Sequence, residues 1–251
     1  MIQLKSAREI DIMAAGGAIL AATVQLLRRA VRAGMSTHEL DAIAEEFIRE
    51  HEGATPAFKG LYGFPGTLCT SINHEIVHGI PSKKRVLADG DVISIDVGVR
   101  YQGYFTDSAT TVAIGAVDDE TARLLTVTQQ SLAAGIAAAV PGNHLGDIGA
   151  AVQAVVEGAG FSVVRDLVGH GIGVEFHEEP QVPNYGKPKR GLKLVPGLTI
   201  AIEPMVNIGG PATRTLADKW TIVTVDGSRS AHFEHTVAIT ETGHRVLTAA
   251  A

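Results

Sequence analysis

Apolar residues recur at helical spacing through Ile10, Ile19, Val24 and Leu27, and again at Leu40, Ile43 and Phe47, which predicts helices over 6–32 and 37–51. Ser36-Thr37 followed by Glu39 offers the second of these an N-cap. A stretch punctuated by glycine and proline, 58–82, interrupts the pattern, and the text then turns β-like at Val92–Val97 and Thr110–Ile114. Helical signals return over 119–139 and 145–158. The last third is strand-rich again at Leu198–Ile202, Thr221–Val225 and Thr236–Ile239.

Helices followed by strands, twice over, invite a search for repetition. Leu87, Gly90, Ile93, Ile95 and Asp96 reappear 107 positions later as Leu194, Gly197, Ile200, Ile202 and Glu203, so that two carboxylates coincide. Thr111-Val112-Ala113-Ile114 is echoed by Thr236-Val237-Ala238-Ile239, with Asp107 and Glu234 shortly before each. His38 and Asp41 are echoed by His144 and Asp147, 106 positions on. Each match alone is weak in a chain rich in alanine and valine; their shared order is stronger. It predicts one domain over 1–251, made of two similar halves (about 1–115 and 116–251), each giving two carboxylates from two strands of one sheet. Asp96 would pair with Glu203, and Asp107 with Glu234, about a pseudo-twofold axis.

Alternation in the strand around Asp96 puts it with Val92, Ser94 and Gly98, away from Ile93, Ile95, Val97 and Val99. Glu203 shares a face with Thr199 and Ala201, and Glu234 with His232 and Thr236. Acids in such segments need a partner, because burying an unpaired carboxylate is costly. No arginine lies beside them in the strands, whereas two divalent cations would neutralise four carboxylates. Gly169-His170-Gly171-Ile172-Gly173 offers a histidine flanked by glycines that let backbone approach closely. Oxygen donors with one nitrogen suit Mn, Fe or Co better than a structural zinc site. Taken singly, each acid is more often a strand-edge charge or turn residue than a ligand, and spacing and chemistry together leave both readings open for the set.

Composition narrows the setting. A single cysteine, Cys69, excludes an intrachain disulfide, and the opening residues lack the basic-then-apolar order of a secretory signal, so a cytoplasmic protein is expected. Ala133–Val140, an apolar run closed by Pro141-Gly142, is too short for a bilayer, and no membrane span is expected. A formal net charge of −6 argues against a nucleic-acid surface, leaving Lys83-Lys84-Arg85 and Lys187–Arg190 as solvated loops.

Several segments resemble the methionine aminopeptidases, specifically the shorter type I enzymes of bacterial kind. They are Ser71-Ile72-Asn73, Val77-His78-Gly79-Ile80-Pro81, Asp89–Val97, Gly169–Gly173, Phe176-His177-Glu178-Glu179-Pro180, Thr199–Met205 and Glu234-His235-Thr236, spread over nearly the whole chain. The resemblance implies the pita-bread fold, an α/β (α+β) architecture in which a pseudo-twofold antiparallel sheet is covered by helices. It also implies the ligand order Asp96, Asp107, His170, Glu203, Glu234, with ten residues between the aspartates. Asp107 and Glu234 would bridge two divalent ions (Co, Mn, Fe or Zn), Asp96 would chelate one, and His170 with Glu203 would hold the other. Glu203 would shuttle the proton of the attacking water to the departing amine, His78 would contact the scissile peptide, and His177 the substrate carbonyl. The substrate's free α-amino group would bind a metal, restricting attack to the first peptide bond. A methionine pocket is implied from Phe58, Leu61, Phe64, Cys69, Phe176 and Trp220, of which Phe58, Leu61 and Phe64 depart from the family's common residues but stay apolar. A monovalent cation near Asn73 and Ser230 is implied by analogy.

The expected activity is removal of the initiator methionine from nascent polypeptides with a small second residue. The enzyme is expected to be monomeric, with ribosome contact inherited from the family's task. A proline-specific aminopeptidase or prolidase is the nearest rival, disfavoured by length and by Cys69 and the Arg214–Trp220 segment. A non-catalytic binding protein of the same fold is disfavoured because all five ligand positions are kept.

Overall fold

In the computed structural model, which describes residues 2–250, the first helix, α1 (Ala7–Ala30), begins at Ser6. The Ser6 hydroxyl accepts from the Glu9 N–H, and the Glu9 carboxylate accepts in turn from the Ser6 N–H at 2.7 Å. The same box opens α2 (Thr37–Arg49) through Ser36 and Glu39, at 2.8 Å. The strands that follow are β1 (Ala54–Pro56), β2 (Leu68–Ile72), β3 (Glu75–Val77), β4 (Val92–Tyr101) and β5 (Tyr104–Ala113). After α3 (Asp119–Ala138) and α4 (Leu145–Gly158) come β6 (Ser162–Val163), β7 (Gly169–Gly171), β8 (Glu178–Val182), β9 (Thr199–Ile202) and β10 (Met205–Asn207). The chain closes with β11 (Thr213–Thr215), β12 (Ile222–Thr224), β13 (Ser230–His232), β14 (His235–Thr240) and β15 (Gly243–Val246).

Every strand pairing is antiparallel. One large sheet runs β1-β4-β2 with β5 on β4; the other runs β15-β14-β9-β7-β8. Helices α1 and α2 pack their apolar stripes on the first, burying Leu20, Leu27, Leu40 and Ile48 against Ile93, Ile95, Val97 and Val99. Helices α3 and α4 do the same on the second, with Leu124, Ile148 and Val152 against Ile200, Ile202 and Val237. Each such side chain contributes about 1.5–3 kcal/mol by leaving water. A third cluster joins Ile10, Met13 and Phe58 from the front of the chain to Ile172, Phe176 and Leu247 from the back.

The repeat is a repeat of register. In the β4/β5 hairpin Asp96 faces Ala109 and Gly98 faces Asp107. Adding 107 positions to one strand and 125 to the other gives Met205 facing His232 and Ile202 facing His235, as observed. By that register the counterpart of Asp107 is His232, and the counterpart of Glu234 is Ala109. The expectation that Asp107 and Glu234 are equivalent is therefore corrected: proximity to the same threonine motif mimicked equivalence, but the pairing places them two residues out of step. The helical echo shifts likewise. Ser36 and His144 are the two N-caps and bridge to Val86 and Lys193, so α2 and α4 align at 108 positions rather than 106.

Strands β5 and β14 meet at the seam between the large sheets, so the acids come from two abutting sheets rather than from one. The Thr236 hydroxyl accepts from the Asp107 N–H and donates to the Asp107 carbonyl, both at 2.9 Å. Its counterpart Thr111 makes the same exchange with His232, both at 2.8 Å. The Glu234 N–H donates to the Ala109 carbonyl at 3.0 Å, on the axis itself. The seam thus repeats the hairpin's equivalence through a separate set of hydrogen bonds.

Two features of α1 follow from its position. It is long and apolar enough, at a mean hydropathy of 1.8, to cross a membrane by length and composition, which the reading of the chain as lacking such a run did not foresee. Here that apolarity is used on the sheet. Gly17 lets it approach closely: a Cβ there would lie 2.1 Å from the Leu247 carbonyl oxygen. Just before the helix, the Lys5 N–H donates to Gly197 at 2.7 Å and its buried ammonium pairs with Glu178, tying the chain's start to the second large sheet.

Candidate metal centre

The β4/β5 hairpin, its counterpart in which β9–β10 pair with β14 and β13 (the second hairpin), and β7 deliver their polar residues to one place. Asp96 lies on β4, Asp107 on β5 and His170 on β7, while Glu203 follows β9 and Glu234 lies between β13 and β14. His170 Nε2 stands 3.7 Å from Glu203 Oε1 and 4.0 Å from Asp107 Oδ2. Its Nδ1–H donates to the Gly171 carbonyl at 2.8 Å, which turns the Nε2 lone pair toward the acids. Single donor atoms of Asp107, His170 and Glu234 all lie within 4.8 Å of one another, and so do those of Glu203, His232 and Glu234. Asp96 stands outside both groups of three but lines the same cavity.

Electrostatics mark the cluster. Burial pushes the Asp96 carboxyl up to about 7 and Glu203 up to about 8. Asp107 and Glu234 are raised well above the carboxylate range, first by burial and then by the neighbouring acids. Burial holds His170 down to about 4. Among the described residues, Asp96 Oδ1, Asp107 Oδ1 and Glu234 Oε1 are buried without a hydrogen-bond partner. Four clustered acids, three of them buried with an orphaned oxygen, and a histidine lone pair aimed at them fit divalent cations in charge and in donor type.

A cavity of about 510 Å³ opens above the acids. All six residues of the expected apolar pocket line it: Phe58, Leu61, Phe64, Cys69, Phe176 and Trp220. The rings interlock edge to face, Phe58 on Phe176 at 5.3 Å and Phe64 on Trp220 at 5.1 Å between centroids. Gly98 makes room for them, since a Cβ there would meet Phe176 at 2.9 Å and Phe58 at 3.0 Å. His78 and His177 stand on the same wall, the first held down to about 4 by burial. Glu178 anchors the loop carrying Phe176 and His177, accepting from the Val174 and Glu175 N–H groups at 2.7 and 3.1 Å.

Among the lining residues that sequence reasoning did not name as site residues, three bear on the chemistry. Tyr62, 72% exposed, stacks on His177 with centroids 5.7 Å apart, and its hydroxyl lies 3.3 Å from His177 Nδ1. Met205 adds a thioether to the lining. His232 is buried beside Glu203 and Glu234, and extending the Thr111/Thr236 echo four residues backward would have set it against Asp107. Asn73 and Ser230 do come together, the Ser230 N–H donating to the Asn73 carbonyl at 2.9 Å. Their side chains, however, are engaged: Asn73 bonds Asp91 and the Val92 N–H, and the Ser230 hydroxyl donates to Val206. Lys83, Lys84 and Lys187–Arg190 are solvent-facing except Arg85, which pairs with Glu75.

Paired hairpins that gather buried acids and histidines beneath an apolar cavity define a metal-dependent hydrolase of the pita-bread fold. The chain belongs to metallopeptidase family M24, whose model matches residues 11–241. It is 53% identical over 248 residues to methionine aminopeptidase 1 of Bacillus subtilis, covering 99% of each chain. It is 52% identical over 248 residues to the methionine aminopeptidase of Clostridium perfringens, again over 99% of each. The crystal structure of methionine aminopeptidase from Thermotoga maritima superposes with a TM-score of 0.97 at 43% identity, over 99% of this chain and 100% of that one. The prolidase of Pyrococcus horikoshii shares the fold, with a TM-score of 0.80 at 23% identity, but this chain covers only 64% of it.

Proposed function

We infer that this enzyme hydrolyses the first peptide bond of polypeptides that begin with methionine, releasing the initiator residue from new chains with a small second residue. The observation that carries the reading is the junction of an apolar aromatic pocket with a buried acid cluster. One part suits a flexible thioether side chain; the other suits the chemistry of a peptide bond held beside it. Full-length relatives bearing that activity support the same reading.

Asp96, Asp107, His170, Glu203 and Glu234 would hold two divalent ions. Bound there, such ions acidify water and polarise a carbonyl. Glu203 then takes the proton of the attacking water and passes it to the departing amine. His177 donates to the carbonyl oxygen as negative charge builds on it, and His78 contacts the amine side of the bond. Phe58, Leu61, Phe64, Cys69, Phe176 and Trp220 fix the methionine side chain so that the bond lies over the acids.

The test is an assay of Met-Ala-Ser, Met-Lys-Ser and Xaa-Pro peptides on chelated protein and after return of Mn, Fe or Co. Turnover of Met-Ala-Ser alone, restored by metal, is expected. Metal-independent turnover, or a preference for Xaa-Pro, would sink the reading.

A further inference from the structure

His232 is the one buried histidine of the cluster to which the reading above gives no task. Its side chain is 2% exposed, and neither ring nitrogen has a hydrogen-bond partner among the described residues. Nε2 stands 3.6 Å from Glu203 Oε2 and 4.0 Å from Glu234 Oε2. Those distances are too long for hydrogen bonds. They match the spacing of His170, which stands 3.7 Å from the other oxygen of Glu203 and 4.0 Å from Asp107. Glu203 is therefore flanked by two imidazoles, one on each carboxylate oxygen. Donors set tetrahedrally at about 2.0–2.2 Å from one ion lie about 3.3–3.6 Å from one another, beyond ordinary hydrogen-bond distance.

The backbone supports the same placement. His232 occupies, in the second hairpin, the position that Asp107 occupies in the first, and Thr111 clamps its peptide as Thr236 clamps that of Asp107. A position that directs a donor to the centre in one half directs another in the second. The two glutamates are the charged groups within 4.0 Å of its ring.

We propose that His232 is a metal ligand of this centre, its Nε2 acting with Glu203 and Glu234, so that the donor set holds two nitrogens. The proposal rests on the metal-dependent reading above. A second imidazole shifts preference from Mn, which favours oxygen, toward Fe, Co or Zn.

X-ray absorption of the cobalt-loaded protein reads the number of bound imidazoles directly. Two per protein are expected, one in His232→Gln and one in His170→Ala. Isothermal titration should show His232→Gln weakening cobalt binding by more than the roughly 10–100-fold that loss of an outer-shell partner costs. An unchanged imidazole count in His232→Gln, with one lost in His170→Ala, overturns the proposal and leaves the metal reading standing. No cobalt-bound imidazole in the wild-type protein overturns both. Should His232→Gln fail to fold, His170→Ala decides: a remaining imidazole supports the assignment, and none defeats it.

Discussion

Remove the metals with a chelator and raise the pH from 6.5 to 8: the protein should become less stable, against the usual behaviour of carboxylates. In the folded chain burial pushes Asp96 to about 7 and Glu203 to about 8, and it raises Asp107 and Glu234 further, whereas the same groups unfolded titrate near 4. Outside the site, Asp41 moves the same way. The folded state thus holds protons that the unfolded state has released, and stability falls as pH rises. Histidines oppose this at lower pH. Burial lowers His78, His170, His177, His232 and His235, so below about 6.5 the unfolded chain takes up protons that the folded one refuses. Between 6.5 and about 7.5 the unfolded chain's five histidines release their remaining protons, which offsets about 2 kcal/mol of the acids' effect; above that histidines are neutral in both states and the acids act alone. Each proton held only by the folded state contributes about 1.4 kcal/mol per pH unit, so the roughly three that the four acids hold on average remove about 6 kcal/mol between pH 6.5 and 8, and the histidine offset leaves a net fall of about 4 kcal/mol. For a domain of this size that lowers the melting temperature by about 10 °C. Thermal melts in EDTA at pH 5.5, 6.5, 7.25 and 8 measure it. A melting point that is flat or rises across 6.5–8 would refute the argument; with Mn or Co present the fall should vanish, because cations replace the protons.

Glu203→Gln should retain the fold and lose about 10²–10⁴ in turnover of Met-Ala-Ser, the usual contribution of a general base; wild-type turnover with metals bound contradicts the assigned role. Gly98→Ala should drive a methyl against Ala57, Phe176 and Phe58, costing about 1–3 kcal/mol of overpacking that lowers the melting temperature by about 2–10 °C and, through the displaced pocket rings, cuts kcat/KM by about 5–100-fold. Gly17→Ala should lower the melting temperature by about 3–10 °C although alanine is the better helix former, because its Cβ meets the Leu247 carbonyl. A rise in melting temperature would show that α1 can move aside.

The four helices were legible because they carry both period and caps; α2 begins at the residue that Ser36 and Glu39 indicate. The long strands around Asp96 and Thr236 were legible from their apolar residues. Short strands such as β3, β7 and β10 were not, because three residues cannot display alternation and their pairing is decided by distant partners. The five expected ligand positions converge, yet their pairing in the repeat could not be read from nearness in sequence. Asp107 and Glu234 both precede a Thr-Val-Ala-Ile run, but by four residues in one case and two in the other. A two-residue offset keeps both side chains on the same face of a strand, so periodicity is blind to the error and only register reveals it. Tyr62 was hidden for another reason: it sits among loop glycines, at φ 51°, where no period exists to place it.

Ala109 and Glu234 face each other where the pseudo-twofold axis crosses the seam. A residue at such a point confronts its own image. Were both copies glutamate, two like charges would lie directly opposite in neighbouring strands, which is destabilising; were both alanine, the centre would lose the acid shared by its two donor groups. A homodimer assembled from one half of this chain could therefore build neither version of the site. Within one polypeptide the two axial positions are free to differ, so the centre keeps its shared acid without an opposing charge, and its two sides are unequal.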